Sequence, residues 1–389
     1  MDTYFLFFII LTSIFIVPQI LKRFNVPTIT ATMLAGILIG PFGLNIIQSS
    51  ATLDTFAAFG VIFLMFLAGL EVDNETLKDE FKNSLVLSLF SMLIPSIGGY
   101  LIGQYFGLDF IGSLLYAVIF SSHSVGIVYA LMDELGLIKS RFGTTVISAS
   151  VVIDLISLIV ISILIKMGGS GINSDIIPFV VLISAYIIAL LIIIPLISKL
   201  ILKELKKFHV QKIHFILLII LISIIVGEHI GIHPIIGAFI IGIAVSEELT
   251  KEEHDQILNE NLNAIGYGIF IPLFFLNLGM TTDISVIFNL DNISLIIVSV
   301  ITLIGLKISS GYFSLRILDY GKLKSFCGGL LTVPSLTASL VGATLGRDLG
   351  ILPEKFFVSV VVIALLTSTV APIYVKSLVS KNYDKLKLN

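Results

Sequence analysis

The feature that most constrains this chain is a succession of long apolar runs separated by short polar breaks, each near the roughly 20 residues a helix needs to cross a bilayer core. About thirteen such spans can be marked, with ends uncertain by a few residues. They cover 3–22, 27–44, 53–71, 84–106, 110–133, 141–167, 176–203, 212–230, 232–247, 262–281, 292–317, 323–347 and 355–380. Hydrophobic residues make up 57% of the 389 and charged residues 13%, against about 25% charged in soluble domains. Mean hydropathy is +1.09. Lipid offers the backbone no hydrogen bonds, so the spans are expected to be helices and the chain an all-α integral membrane protein. The first run resembles a cleaved leader only superficially: it opens on Met1-Asp2, lacks a basic start, and ends at Lys22-Arg23 without a small-residue cleavage pattern.

Charge supplies an orientation. Nineteen of the 23 Lys and Arg fall in the odd-numbered loops or the C-terminal tail, three (Lys166, Arg347, Lys355) fall on the opposite side, and Lys307 lies inside span 11. Basic residues gather in short cytoplasmic loops, which predicts a multi-pass protein of the cell membrane with its N-terminus outside and its C-terminus in the cytoplasm. Spans 8 and 9 abut across Ile232-His233-Pro234, so one kinked helix is the competing reading; merging them would scramble the partition. The runs 71–82 and 247–260 read as solvated loops. A net charge of −3 with scattered basic residues points away from nucleic acid. Cys327 is the sole cysteine, which excludes an internal disulfide. No phosphate-binding loop, cofactor motif or convincing metal-ligand spacing is present, so no cofactor or resident metal is expected.

The chain also repeats itself weakly at a separation of about 210 residues, a pattern common among secondary transporters. Pro27 and Leu34-Ala35-Gly36-Ile37-Leu38-Ile39-Gly40 in span 2 echo Pro234 and Gly237-Ala238-Phe239-Ile240-Ile241-Gly242 in span 9. Phe66-Leu67-Ala68-Gly69-Leu70 in span 3 echoes Phe275-Leu276-Asn277-Leu278-Gly279 in span 10. Spans 1 to 6 then correspond to spans 8 to 13. With the single span 7 between them, the two halves face opposite ways.

Chemistry in such a chain lies where polar groups enter lipid. Asp154 sits near the middle of span 6, where a carboxylate costs roughly 2.5–3.5 kcal/mol on insertion scales and demands a cation, a proton or a basic partner. Lys307 is similarly deep in span 11; a bridge between the two that merely ties helices together is the plainer alternative. Two spans carry expected breaks. Span 5 holds Ser121-Ser122-His123-Ser124, and span 12 holds Thr332-Val333-Pro334-Ser335. Proline removes a backbone donor, and hydroxyls can satisfy the groups a break frees. Interrupted helices in corresponding places are the best pointer to a small-ion site, although serine-rich packing beside a proline kink would look the same. Glu71 and Glu228, near span ends, are more simply read as snorkelling residues.

Leu34-Ala35-Gly36-Ile37-Leu38-Ile39-Gly40-Pro41, Phe63-Leu64-Met65-Phe66-Leu67-Ala68-Gly69-Leu70-Glu71, Glu228-His229-Ile230-Gly231 with Gly237-Ala238-Phe239, and Pro272-Leu273-Phe274-Phe275 with Gly279-Met280 together resemble the monovalent cation:proton antiporter superfamily, in its second branch of bacterial and archaeal Na⁺(K⁺)/H⁺ antiporters. The resemblance implies two inverted six-helix repeats with crossed broken helices, working as a homodimer. It implies an interface part over 1–72 and 212–281, an ion-binding core over 84–167 and 292–380, and a linking helix over 176–203. Carried over by motif, Asp154 alternately binds cation and proton, Lys307 is the basic partner of the core, and Ser121, Ser122, His123 and Ser124 form the unwound segment. Pro334 and Ser335 mark the second broken helix, and the only metal is the transported Na⁺, with Li⁺ and K⁺ as candidates. Three departures stand out. Ile153 replaces the second aspartate of electrogenic members, His123 stands where a small hydroxyl residue is usual, and span 12 lacks an Arg-Gly-Glu run. The expectation is therefore a Na⁺/H⁺ antiporter, not an enzyme, with a K⁺/H⁺ antiporter as alternative. A cation channel would need a filter segment, and an intramembrane aspartyl protease a second deep carboxylate.

Overall fold

Every regular element that the computed structural model describes is helical, as a backbone surrounded by lipid requires. It describes residues 3–24, 26–48, 50–71, 81–138, 140–170, 176–205, 209–250, 253–283, 285–286 and 290–387. In chain order the helices are α1 (Thr3–Leu21), α2 (Thr28–Ile39), α3 (Ala51–Leu70), α4 (Phe81–Tyr105), α5 (Phe110–Ser121), α6 (Val125–Glu134), α7 (Arg141–Ser170) and α8 (Ile176–Glu204). There follow α9 (His209–His229), α10 (Pro234–Thr250), α11 (Glu253–Ile265), α12 (Ile271–Met280), α13 (Leu290–Ile317), α14 (Lys322–Leu331), α15 (Thr337–Asp348) and α16 (Glu354–Lys387). A π-turn, Gly266–Phe270, fuses α11 to α12.

Ten stretches among the described residues are long and apolar enough to cross a membrane. The three other expected spans hold shorter helices: α2 with 12 residues, α10 with 17, and the pair α14 and α15 with 10 and 12. One helix is inside out relative to a soluble one. On α4, Leu85, Leu89, Leu93, Ile97 and Leu101 recur every fourth residue and are exposed, whereas Ser84, Ser88 and Ser91 on the opposite face are buried. Such an apolar stripe has no partner in water but is at home in acyl chains.

Contacts divide the chain into two units. The first comprises 1–51, 77–169 and 275–389. Within it α4 packs on α5 and α13, α13 on α14 and α16, and α15 on α5 and α16. Ser88 Oγ donates across to Ala149 O at 3.2 Å, tying α4 to α7. Tyr116 OH donates to Ser299 Oγ at 2.9 Å and meets Ser359 Oγ at 2.8 Å, a buried knot joining α5, α13 and α16. The second unit comprises 52–76 and 170–274. In it α10 packs on both α8 and α9.

Both units contain helix crossings so close that only glycine fits. In the first, a methyl group on Gly36 would strike Leu276 O, and one on Gly279 would strike Met33 O, so α2 and α12 cross backbone to backbone. In the second, Gly69 faces Phe239 O and Gly242 faces Phe66 O, so α3 and α10 do the same. Small residues at such crossings let membrane helices approach and gain packing that lipid cannot supply.

The separation of spans 8 and 9 holds, and the loop expected at 247–260 does not. Spans 8 and 9 are separate helices: Gly231, at φ 79°, turns the chain, and Gly237 of α10 comes back against Ser223 of α9. The run 247–260 is not a loop: Glu253–Ile265 is helical with Leu258 and Leu262 buried, and helix continues through the π-turn to Met280. Residues 72–80, from the other expected loop, lie outside the described residues.

Candidate functional site

Both expected breaks exist. α5 stops at Ser121, Ser122 is extended at φ −62° and ψ 145°, and α6 restarts at Val125. Ser121 Oγ donates to Val118 O at 2.8 Å and Ser122 Oγ to Ile119 O at 3.0 Å. Val118 O also keeps its helical bond from Ser122 N, at 3.1 Å, whereas Ile119 O, which His123 N would take in continuing helix, is taken by the Ser122 hydroxyl, so the local sequence favours ending α5 there. The second break runs from Thr332 to Leu336. Pro334 has no N–H to offer there, and Thr332 Oγ1 contacts both Gly329 O at 2.8 Å and Lys307 O at 3.0 Å. Thr367 on α16 accepts from Ser335 N at 3.3 Å, which holds the second break open.

The breaks meet at one buried knot. Lys307 Nζ donates to Ser122 O at 2.5 Å and to Ser335 Oγ at 2.5 Å, and Ser335 Oγ donates on to Ser122 O at 3.0 Å. An ammonium thus sits against the C-terminal end of α5, where the carbonyl dipoles point. Asp154 lies at the other side of the same break. Its carboxylate lies against the backbone of Val125, the first residue of α6, and of His123. A carboxylate at a helix N-terminus is the complementary arrangement. Asp154 and Lys307 therefore feel each other as neighbouring charges but are not paired; each is held by a helix end of opposite sign.

Asp154 Oδ1 has no protein partner although Asp154 is 3% exposed. In the adjoining break, both ring nitrogens of the fully buried His123 and the hydroxyl of Ser124 are also unpartnered. Buried polar atoms normally find partners, and a cluster that does not marks a place for an ion, a proton or water. The structure thus brings Ser122, Ser335 and Lys307 into direct contact and sets Asp154 against the backbone of His123 and Val125. Ser121 is spent on capping α5, and Pro334 stands in the second break. Glu71 does not snorkel, since its Oε2 is buried and unpartnered.

Sequence reasoning missed Tyr116 and Thr367, which brace the breaks, and nothing in their local sequence marks them. It also missed Ser157 and Ser339, buried hydroxyls without partners. Ser157 could have been found, being one helical turn beyond Asp154.

A family model described as "Sodium/hydrogen exchanger, transmembrane" matches residues 9–381. The protein named "Probable Na(+)/H(+) antiporter 3" of Methanocaldococcus jannaschii is 58% identical over 385 residues, which is 99% of both chains. The "Na(+)/H(+)-K(+) antiporter GerN" of Bacillus cereus is 29% identical, with 95% of each chain covered. The "Na(+)/H(+) antiporter" of Enterococcus hirae is 27% identical over 96% of this chain and 97% of its own. Among solved structures, that of the sodium proton antiporter MjNhaP1 from Methanocaldococcus jannaschii superimposes with a TM-score of 0.75, covering 99% of this chain and 97% of that one at 16% identity. At that identity the likeness establishes the fold.

Proposed function

Because the chain belongs to the sodium/hydrogen exchanger family, we propose that it exchanges Na⁺ for H⁺ across the cell membrane by alternating access, with Asp154 binding cation and proton in turn. The observation that carries this reading is the free oxygen of Asp154 at the interrupted helix. When ionised, the carboxylate can hold a dehydrated cation together with carbonyl and hydroxyl oxygens of the break. When protonated it is neutral and cannot. Competition for one oxygen couples the two fluxes, provided the core crosses only with Asp154 occupied.

The helix ends set the balance. The α6 N-terminus and the Lys307 charge favour the ionised form, while burial opposes it. Lys307 also fixes Ser122 and Ser335, so the two breaks move together as one body. In this reading the moving core is 84–167 and 292–380, the interface part of a homodimer is 1–72 and 212–281, and 176–203 links the halves. Thirteen crossings place the N-terminus outside and the C-terminus in the cytoplasm. The inverted repeat is supported by the two glycine crossings. If span 2 corresponds to span 9 and span 3 to span 10, a crossing of α2 with α12 demands one of α10 with α3, and both exist.

Ile153 leaves Asp154 as the sole carboxylate of the pair of positions, so the simplest cycle moves one H⁺ per Na⁺ and carries no net charge. A charge crossing the membrane feels about 2.3 kcal/mol per 100 mV. Proteoliposomes clamped at several potentials should therefore reverse net flux at the same proton gradient; a reversal point that moves with voltage would refute the one-for-one cycle and implicate Lys307 as a second proton carrier. The same vesicles, loaded with Na⁺, Li⁺ or K⁺ in turn, decide the substrate. K⁺ is included because a relative is named for it.

A further inference from the structure

Buried hydroxyls on the helices of this protein usually donate to a carbonyl of their own helix three or four residues back. Ser150 bonds Val146 O at 3.0 Å, Ser314 bonds Gly311 O at 3.0 Å, and Thr344 bonds Leu340 O at 2.8 Å. In a membrane this is the cheapest way to satisfy a hydroxyl. Ser157 departs from the habit. It is 0% exposed and lies in unbroken helix, with carbonyls of Ile153 and Asp154 behind it, yet its Oγ has no partner. Ser339, 1% exposed in the first turn of α15, has none either. The carbonyls three and four residues behind it belong to the break.

Geometry brings these two hydroxyls towards Asp154. Asp154, Ser157 and Ile161 form one stripe on α7, three and then four residues apart. At the far end of the stripe, Ile161 Cδ1 would lie 2.9 Å from a methyl group placed on Gly342 of α15. At the near end, Asp154 sits on the first break, which touches the second break through Ser335 and Ser122. The two helices therefore leave the crossing in the same sense. One turn along α7 from Asp154 is Ser157, and one turn back along α15 from Gly342 is Ser339. With the unpartnered oxygen of Asp154 on the same stripe, the two unpartnered hydroxyls lie one turn from the Ile161–Gly342 contact, on its side towards the breaks. Their chemistry is uniform, being one anionic and two neutral hard oxygens with no nitrogen or sulfur.

We propose that Ser157 and Ser339 supply hydroxyl oxygens to the cation held at Asp154, completing a hard-oxygen shell between α7 and α15. This rests on the exchange reading above and adds residues that the broken-helix motif does not contain. An oxygen shell replaces the hydration lost on entry. The proton needs only Oδ1, so removing a hydroxyl weakens Na⁺ binding and leaves proton binding intact. The two hydroxyls act on the competition between the ions, not on the movement that follows.

The test measures exchange in proteoliposomes as a function of Na⁺ concentration and pH. In Ser157→Ala and in Ser339→Ala the half-saturating Na⁺ concentration should rise about tenfold, with the maximal rate within about twofold of wild type. At fixed Na⁺, the proton should outcompete it up to a pH about one unit higher. Ser157→Cys keeps the side-chain shape with a soft atom and should behave like Ser157→Ala, whereas Ser157→Thr keeps the hydroxyl and should retain wild-type affinity. Thr344→Ala, whose hydroxyl is committed to Leu340 O, should change nothing. Stabilisation of the purified protein by Na⁺ against heating gives a readout independent of transport and should require proportionally more Na⁺ in the alanine variants. Wild-type half-saturation and wild-type Na⁺ stabilisation in Ser157→Cys and Ser339→Ala would overturn the proposal. Loss of all exchange by wild type itself, with every monovalent cation, would instead remove the reading it rests on.

Discussion

The break at Ser122–Ser124 leaves polar atoms without partners, whereas the break at Thr332–Leu336 uses each of its own side-chain hydroxyls. In the first, His123 and Ser124 are buried and unpartnered, and Asp154 leans on the backbone with one oxygen free. In the second, Thr332 bonds Gly329 and Lys307 carbonyls, Ser335 bridges Lys307 to Ser122, and Thr367 receives the Ser335 N–H. The two interruptions thus differ in energetic character. The satisfied one is built to be rigid, and the unsatisfied one gains most from a ligand. The difference assigns substrate contact to the first break and anchorage to the second, and the following substitutions test that assignment.

The largest effect is expected at the unsatisfied side. Asp154→Asn preserves shape but removes the charge proposed to bind cation and proton in turn. Na⁺-dependent proton flux should fall below about one per cent of wild type, a loss beyond 2.7 kcal/mol, while the purified variant stays folded. Flux above a few per cent would place the exchanging carboxylate elsewhere.

On the anchoring side, Lys307→Gln removes a cation from two short hydrogen bonds at the end of α5. Loss of charge-assisted bonds should lower stability by about 1.5–3 kcal/mol, seen as a drop in melting temperature in detergent. Ser335→Ala takes only the bridging hydroxyl and should cost about 1 kcal/mol. If both variants melt like wild type, the second break is not the anchor and the contrast collapses. Because Ser335 and Lys307 share one knot, the double variant should lose less than the sum of the single losses.

How far this was legible beforehand follows from what each signal depends on. Breaks at Ser121–Ser124 and at Pro334 could be read because their causes are local: hydroxyls that cap carbonyls, and a residue without an N–H. Asp154 and Lys307 could be read because charge within an apolar run is conspicuous. Their relation could not. The sequence allowed a direct bridge, but the structure places each against a helix end, an arrangement fixed only when the breaks cross. The glycines of the repeat were visible, yet that Gly36 meets Leu276 and Gly69 meets Phe239 depends on tertiary packing. The run 247–260 was misjudged because its charges hid a helical stripe that carries Leu258 and continues to Leu262.

The smallest effect, and the sharpest probe of the contrast, is at His123. A neutral imidazole carries one N–H and one lone pair, and here both nitrogens are buried without a protein partner. Such a group is costly in an apolar surround unless water or the cation's hydration reaches it. Threonine at this position would be smaller, and its hydroxyl can return to a carbonyl of α5 as Ser121 and Ser122 do. His123→Thr should therefore bring the first break closer to the second, with Ser124 Oγ still unpartnered. Stability should stay within about 1 kcal/mol of wild type or rise, since a lost volume is offset by removal of two unsatisfied atoms. What should change is the substrate side: the ratio of Na⁺ to K⁺ half-saturation should move by about threefold, or the pH profile of exchange by about half a unit, because the polar groups of the break beside Asp154 have been altered. If selectivity and pH profile both stay fixed while stability falls by more than about 2 kcal/mol, the imidazole is a packing element. The first break would then be no more a ligand site than the second.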